Sequence, residues 1–176
     1  VRLIHDKRAP GWSEAQIDRF FLQRFDCSEQ KYEMAKEIAD LQEPILQLGS
    51  APKTYSLYIG IPFCPTRCAY CSVVSASMEK SFGLMEPYLA ALEQEITDAA
   101  RMVAETGLSV KSFYMGGGTP TTLSARQMDH LLTHLNRSFD LSGVVEYCIE
   151  AGRPDTIDPE KLAVLRAHGV TRVSVN

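Results

Sequence analysis

The last two thirds of the chain alternate between strand-like and helix-like segments. Four short runs are rich in β-branched and aromatic residues, and stretches with the apolar spacing of an amphipathic helix separate them. The four runs are residues 54–61, 110–115, 144–149 and 170–175. This alternation is typical of an α/β fold in which right-handed helical crossovers join parallel strands. We therefore predict a parallel sheet from residue 54 onward.

The residues before this alternation have helical spacing only. Ser13 and Gln16 have the pattern of a capping box, and a second helix is predicted to begin near Ser28. Pro44 is expected to end or kink that helix, because proline removes a backbone donor. The sequence thus predicts an N-terminal helical region at residues 1–53 and an α/β core at residues 54–176.

The predicted core is short for a closed barrel. An eight-unit β/α barrel typically takes about 250 residues, whereas residues 54–176 number 123. The sheet is not expected to close, and its last strand would have an unpaired edge. The chain begins with Val1 rather than Met and stops directly after a strand-like run, so we expect it to be a piece of a longer protein.

Composition and charge exclude several classes of protein. The net charge of −4 argues against a nucleic-acid partner, and no apolar run approaches the roughly 18 residues of a membrane span. No secretory signal is recognisable. Five cysteines without an even, regular framework are typical of a reducing compartment, so we expect a cytoplasmic protein.

Three of the five cysteines lie within eight residues. Cys64, Cys68 and Cys71 have the spacing C-x3-C-x2-C, and thiolates are soft ligands that suit zinc or iron–sulfur clusters. On a helix the three would share one face and could be core residues, but Pro62 and Pro65 argue against a helix here. An odd number of cysteines disfavours a disulfide, and no fourth Cys or His lies nearby to complete a structural zinc site. Three ligands with an open fourth position are typical of a site that binds something else.

Two further unusual clusters also follow predicted strands. A Gly-Gly-Gly-Thr-Pro run occupies residues 116–120, and Glu150 ends the third strand-like run. Because ligands of parallel α/β folds bind at the carboxyl ends of the strands, all three clusters are predicted to lie on one rim. The glycine run lacks the third spaced glycine of a dinucleotide fingerprint and the Gly-Lys-Ser/Thr of a phosphate loop, so a plain turn remains the alternative. Taken alone, Glu150 would be interpreted as an ordinary solvated carboxylate, and its position at the end of a strand beside the other two clusters favours a role in the site.

Other polar and sulfur-containing residues are predicted to have structural roles. His130 and His134 stand one helical turn apart, but they belong to a helix away from the rim and are predicted to lie on a solvated face. Cys148 lies inside an apolar strand and is predicted to be core. Arg153 and Asp155 are given no role.

The cysteine motif resembles that of radical S-adenosylmethionine (SAM) enzymes, in which an aromatic residue, here Tyr70, precedes the last cysteine. The longer run Leu-Tyr-Ile-Gly-Ile-Pro-Phe-Cys at residues 57–64 resembles the oxygen-independent coproporphyrinogen III oxidase branch, also called coproporphyrinogen dehydrogenase. That branch includes haem-binding relatives without oxidase activity. The resemblance implies a partial barrel of six β/α units, of which this chain contains the N-terminal half, preceded by the small helical region.

The resemblance also implies cofactors and the residues that bind them. Cys64, Cys68 and Cys71 would bind three irons of a [4Fe–4S] cluster, with SAM on the fourth iron. The matching glycine loop of radical SAM proteins binds the methionine moiety of SAM. The residues that the resemblance assigns to SAM binding are Tyr58, Tyr70, Gly117, Gly118, Thr119 and Glu150. No residue is predicted to be catalytic, because the cofactors carry the hard chemistry.

The implied reaction belongs to haem biosynthesis. Reductive cleavage of SAM would yield a 5′-deoxyadenosyl radical that abstracts hydrogen from a propionate side chain, which then loses CO₂ and becomes a vinyl group. The chain would thus be an oxidoreductase that converts coproporphyrinogen III to protoporphyrinogen IX. Its implied partners are a porphyrinogen or haem-like molecule and an electron donor such as a flavodoxin or ferredoxin.

The chain departs from the best-known oxidases at one position. They carry another cysteine two residues after the third ligand, where this chain has Val73. The Glu-Ala-Gly-Arg-Pro-Asp run at residues 150–155 also resembles a variant found alongside the oxidases. The alternative is therefore a haem chaperone on the same scaffold, and a third interpretation is a zinc-stabilised structural module without SAM.

Overall fold

The computed structural model describes residues 1–49, 51–72 and 76–175. Val73, the position of the departure from the oxidases, lies outside the described residues. The chain divides into two compact units, Val1–Ala51 and Pro52–Asn176. In the described parts of the chain, no helix combines the length and the apolar character that crossing a bilayer requires.

The first unit is helical. Its elements are α1 (Arg2–Arg8), α2 (Glu14–Arg19), a π-helical turn (Phe20–Arg24) and α3 (Glu29–Gly49). The predicted capping box is present, since the Ser13 amide donates to Gln16 Oε1 at 2.8 Å and the Gln16 amide donates to Ser13 Oγ at 3.4 Å. A small apolar core is formed by Ile4, Ile17, Phe21, Tyr32 and Ala39.

Pro44 was predicted to end or kink the second helix, and the structure shows that it does not end it. α3 continues through Pro44 to Gly49. A side-chain hydrogen bond spans the proline, because Gln47 Nε2 donates to Glu43 Oε1 at 3.1 Å. Leu46, Gln47 and Leu48 after the proline are good helix formers, so the loss of one backbone hydrogen bond does not end the helix.

The second unit has the predicted α/β order. Its strands are β1 (Thr54–Ile61), β2 (Phe63–Cys64), β3 (Ala76–Ser77), β4 (Ser109–Gly117), β5 (Glu146–Glu150) and β6 (Arg172–Ser174). Its helices are α4 (Met78–Ser81), α5 (Met85–Thr106), α6 (Ala125–Ser138) and α7 (Pro159–Ala167), with short 3-10 turns at Phe82–Leu84, Pro120–Thr122 and Pro154–Thr156.

Four of the strands form one parallel sheet in the order β1-β4-β5-β6, and β2 and β3 form a separate short parallel pair. The predicted parallel α/β fold is confirmed. The apolar faces of the helices that join the strands bury a single core against the sheet. Among its fully buried members are Ile61, Phe113, Met115, Ile149, Leu131 and Leu135. Burial of each such side chain contributes about 1.5–3 kcal/mol to stability.

Local signals in the sequence set the ends of the crossover helices. Ser124 and Gln127 form a second capping box at the start of α6. The Asp158 carboxylate accepts from the Lys161 amide at 2.8 Å at the start of α7. Gly107 closes α5 with φ of +63°, a conformation that glycine adopts without steric cost. α5 begins at Met85, and Pro87 lies in its first turn, where its missing amide hydrogen costs no helical hydrogen bond.

The predicted second strand, residues 110–115, is longer in the structure. β4 continues through Gly117, because Gly116 and Gly117 pair in register with Gly60 and Ile61 of β1. The first two glycines of the run therefore form the carboxyl end of a strand rather than a loop beyond it. At the same edge, Glu150 of β5 pairs in register with Ser174 of β6.

Candidate functional site

A cavity of about 320 Å³ lies at the carboxyl ends of the sheet strands. This volume falls at the small end of the range for small-molecule sites, about 300–1,000 Å³. Residues from the cysteine loop, the end of β4 and the ends of β5 and β6 surround it. The lining residues are Cys64, Thr66, Arg67, Cys68, Tyr70, Cys71, Ser72, Gly117, Gly118, Thr119, Glu150, Gly152, Arg153 and Ser174. The three predicted clusters therefore meet at one cavity.

The cysteine loop is not helical. Residues 65–72 form turns and irregular backbone, so the alternative in which the cysteines share one helical face is wrong. The loop begins at β2, and directly before this strand the Pro62 carbonyl accepts from the Ala76 amide of β3 at 2.7 Å. Further along, a turn is closed by a hydrogen bond in which the Cys71 amide donates to the Cys68 carbonyl at 3.1 Å. All three cysteines are half-buried and line the cavity.

The donor set fits an iron–sulfur cluster better than a single metal ion. Among the described residues, no three side chains of Cys, His, Asp or Glu stand close enough together to hold one ion. A structural zinc ion needs four ligands around one point, whereas the cysteines of a [4Fe–4S] cluster each bind a different iron. Three half-buried cysteines that line one cavity supply the thiolate ligands that such a cluster requires.

The glycine run lets two backbone segments approach closely. The amide of Gly118 donates to the Ile61 carbonyl at 2.7 Å, and the amide of Thr119 donates to the Phe63 carbonyl at 2.7 Å. A Cβ atom at residue 118 would lie 2.5 Å from the Phe63 carbonyl oxygen. Gly117 has φ of +106°, which disfavours any other residue. The run thus holds the backbone that enters the cysteine loop.

Thr119 connects the glycine run to the first cysteine. Its side chain is 2% exposed, and its Oγ1 lies 3.4 Å from Cys64 Sγ. Buried hydroxyls of this kind are normally hydrogen-bonded. The contact therefore fixes the position of the Cys64 side chain relative to the end of β4.

Glu150 is held at the cavity by a tyrosine. The hydroxyl of Tyr114 on β4 donates to Glu150 Oε1. This hydrogen bond, together with partial burial and the nearby carboxylate charge, raises the pKa of Tyr114 to about 12. A Cβ atom at residue 116 would lie 2.9 Å from Glu150 Oε2, so Gly116 provides the space for the carboxylate.

The two other predicted SAM contacts have different settings. Tyr70 lines the cavity but is 83% exposed, and a hydrogen bond to the Cys68 sulfur raises the pKa of its hydroxyl. Tyr58 lies beside the cavity rather than in its lining. Its ring stacks on Tyr114 with centroids 6.0 Å apart, and its hydroxyl lies near Gly117.

Sequence reasoning missed Arg153 and Ser174. Arg153 was given no role, yet its guanidinium lines the cavity and contacts the cysteine loop. Ser174 lies opposite Glu150 across the β5–β6 pair. Both follow or end strands at the predicted rim, which is the feature that could have identified them.

The histidine pair stands away from this cavity. His130 is exposed and its Nε2 lies 3.1 Å from Glu93 Oε1. His134 is half-buried, with its Nε2 3.0 Å from Thr97 Oγ1 and 3.1 Å from the Glu93 carbonyl. The prediction that the pair lies on a solvated face is confirmed for His130. It is wrong for His134, which has hydrogen-bond partners on α5. Cys148 is buried in β5, as predicted.

Comparison with known proteins gives consistent matches. Residues 58–176 match the family model of the radical SAM superfamily. The chain has 37% sequence identity to the oxygen-independent coproporphyrinogen-III oxidase-like protein HemZ of Bacillus subtilis, in an alignment that covers all of this chain and 36% of HemZ. It has 42% sequence identity to the heme chaperone HemW of the same species, in an alignment that covers 68% of this chain and 30% of HemW.

A solved structure has a similar fold. Coproporphyrinogen III oxidase (HemN) from Escherichia coli, described as a radical SAM enzyme, superposes with a TM-score of 0.59. The match has 33% sequence identity and covers 76% of this chain and 30% of that one. The chain thus spans about a third of the length of the relatives that it matches.

Proposed function

The chain belongs to the radical SAM superfamily, among relatives that include coproporphyrinogen III oxidases and a heme chaperone, and we propose that its cavity binds a [4Fe–4S] cluster and SAM. The observation that carries this proposal is the meeting of three cysteines, the glycine run and Glu150 around one cavity of about 320 Å³. Cys64, Cys68 and Cys71 are the proposed cluster ligands. When bound, the two groups supply one-electron reductive cleavage of SAM to a hydrogen-abstracting species.

The residues of the chain have binding and positioning roles in this proposal. Thr119 holds the Cys64 side chain, and the glycine run brings backbone groups to the cavity wall. Tyr114 orients the Glu150 carboxylate, whose negative charge suits the ammonium group of an amino acid. Gly117, Gly118, Tyr58 and Tyr70 complete the proposed SAM contacts.

For the full-length protein we propose oxygen-independent oxidative decarboxylation of coproporphyrinogen III to protoporphyrinogen IX. The similarity to the HemN structure and to the oxidase-like HemZ supports this substrate. A flavodoxin or ferredoxin is the proposed electron donor.

The second candidate is a haem chaperone on the same scaffold. Over 68% of the chain, the identity to the heme chaperone HemW is 42%, against 37% for the Escherichia coli coproporphyrinogen III oxidase over the same share, and this difference favours the chaperone. Val73, at the place where the oxidases carry another cysteine, favours it as well. Both candidates require the cluster and the SAM cavity, and they differ in whether the porphyrin is converted or retained.

Anaerobic reconstitution of the full-length protein tests the cofactor proposal. We expect about four irons per chain, and 5′-deoxyadenosine when dithionite and SAM are added. Cys68→Ser should lose cluster binding, whereas Cys27→Ser, a matched change outside the cavity, should keep it. Binding of zinc alone, or the same iron content in both variants, would rule the cluster out.

A second assay separates the oxidase from the chaperone. The reconstituted protein is incubated with coproporphyrinogen III, SAM, a one-electron donor and an electron acceptor for the substrate radical, and the products are separated by chromatography. Formation of protoporphyrinogen IX supports the oxidase. Stable haem binding without conversion supports the chaperone and excludes the oxidase for this protein.

A further inference from the structure

We propose that Arg153 is a positioning residue that connects the end of β5 to the cysteine loop and places a fixed positive charge beside the Cys68 sulfur. The inference rests on the proposed [4Fe–4S] cluster for its electrostatic part. Its mechanical part, the restraint of the loop, concerns only contacts within this chain.

The contacts of Arg153 cross a long separation in sequence. Its Nη1 donates to Thr66 Oγ1 at 2.7 Å and lies 3.4 Å from the Thr66 carbonyl oxygen. The same nitrogen lies 3.8 Å from Cys68 Sγ. Thr66 and Cys68 precede Arg153 by 87 and 85 residues. One guanidinium therefore contacts the loop between the first and second cysteines and the sulfur of the second.

The other side of the guanidinium is also restrained. Nη2 pairs with Asp155 Oδ2 at 3.1 Å, and the side chain of Arg153 is 24% exposed. Because the guanidinium is planar with donors in a fixed fork, binding on both sides sets its orientation. A lysine ammonium has its three donors on one nitrogen, whereas Thr66 and Asp155 are bound by two different nitrogens of the guanidinium, so lysine could not keep both contacts with this geometry.

The backbone of Arg153 is anchored to the glycine-run side of the cavity. Its carbonyl accepts from the Thr156 amide at 2.9 Å and from Thr156 Oγ1 at 2.7 Å. Thr156 Oγ1 in turn lies 2.6 Å from Thr121 Oγ1, which is fully buried. Lys161 Nζ donates to the carbonyls of both threonines, at 2.9 and 2.8 Å. These hydrogen bonds therefore fix the position of the Arg153 backbone from which the side chain extends.

The charge of Arg153 has a consequence for a bound cluster. Reduction adds one negative charge to a group that already carries three thiolates, and a nearby cation stabilises the reduced form more than the oxidised form. Hydrogen bonds to ligand sulfurs act in the same direction and are a main determinant of cluster potentials. Arg153 should therefore raise the reduction potential, while Asp155 partly offsets its charge.

The electrostatic part is tested by potentiometric titration of the reconstituted full-length protein, followed by electron paramagnetic resonance. Arg153→Gln should disfavour cluster reduction at least tenfold, which for one electron is a shift of about 59 mV to more negative potential. Arg153→Lys keeps the charge and should recover part of the shift. The matched control is Arg166→Gln, an exposed arginine on α7 outside the cavity, whose potential should equal that of the wild type.

The mechanical part is tested by hydrogen–deuterium exchange of the iron-free protein. Arg153→Gln and Arg153→Lys should both speed amide exchange at residues 66–71, because neither keeps both contacts, whereas Arg166→Gln should not. Equal potentials and equal exchange in Arg153→Gln and the control overturn the proposal. If the wild type binds no cluster, the proposed function fails, and the exchange experiment still decides whether Arg153 restrains the loop. Asp155→Asn, which should also speed exchange, replaces Arg153→Gln if that variant does not fold.

Discussion

Substitution of Gly118 by alanine is the sharpest test of how the cysteine loop is held. The added Cβ would lie 2.5 Å from the Phe63 carbonyl oxygen, 2.9 Å from the Ile61 carbonyl oxygen and 2.9 Å from the Phe63 carbonyl carbon. All three atoms belong to backbone, so no side-chain rotation can relieve the clash. The same carbonyls accept the amides of Gly118 and Thr119, both at 2.7 Å. The substitution must therefore push apart the segments that these two hydrogen bonds join.

Two effects determine how much Gly118→Ala lowers the free energy of unfolding. Overpacking a closely packed site costs about 1–3 kcal/mol, and each lost hydrogen bond costs about 1 kcal/mol. Because the segments can separate only partly, we expect Gly118→Ala to lower the free energy of unfolding by about 2–4 kcal/mol. The measurement is urea unfolding followed by circular dichroism.

A matched control lies in the paired strand. A Cβ at Gly60 of β1 would meet only Tyr58 Cε1 at 3.5 Å, an ordinary contact. Gly60→Ala should therefore change the free energy of unfolding by less than about 1 kcal/mol. If Gly118→Ala destabilises the chain no more than Gly60→Ala does, the close backbone approach does not hold the loop and the reasoning fails.

Three further predictions concern single side chains of the same unit. Lys161→Met should lower the free energy of unfolding in urea by about 1–3 kcal/mol, because the lysine side chain is 14% exposed and its loss leaves two backbone carbonyls without their donor. A decrease of under about 0.5 kcal/mol would contradict this. Ser124→Ala should cost about 1 kcal/mol by removing the capping box with Gln127, and an unchanged urea midpoint would show that the cap contributes nothing. Tyr114→Phe should cost about 1 kcal/mol at pH 8 after allowance for solvent screening. The pKa of Tyr114 is raised to about 12 in the folded protein. The stabilisation by its hydroxyl is therefore complete below the unfolded-state pKa of about 10 and is lost as the pH rises toward 12. A difference in the free energy of unfolding between wild type and variant that persists at pH 12 would refute the assignment.

The parts of the fold that could be predicted from the sequence are those with local causes. The capping box of Ser13 and Gln16 depends on residues three positions apart, and it lies where the spacing indicated. The parallel order of the strands followed from chain connectivity, because helical crossovers leave little choice of direction. The helix does not end at Pro44, because a side-chain hydrogen bond across the proline and good helix formers after it outweigh a single missing donor.

The candidate site was predictable in position but not in its contacts. That the cysteines, the glycine run and Glu150 share one cavity follows from the common edge of parallel strands. The hydrogen bond between Tyr114 and Glu150 depends on the register of β4 and β5, which no local pattern encodes. Arg153 depends on the path of a loop more than 80 residues away. The cofactor roles of the cavity residues stay predictions that the reconstitution assays test.

These contacts explain how a loop with little structure of its own can present three cysteines in a defined arrangement. Between its β2 entry and Ser72, the described part of the loop has turns rather than ladder pairing, and its side chains contribute no residue to the apolar core after Phe63. Its position must therefore be set from outside, by the amides of Gly118 and Thr119 at its entry and by Arg153 further along. Arg153 is in turn fixed through Thr156 and Lys161 to the segment that follows the glycine run. A substitution on α7 that touches no cysteine should consequently alter the arrangement of the cysteines, and comparison of loop amide exchange in Lys161→Met and Arg166→Gln measures that dependence directly.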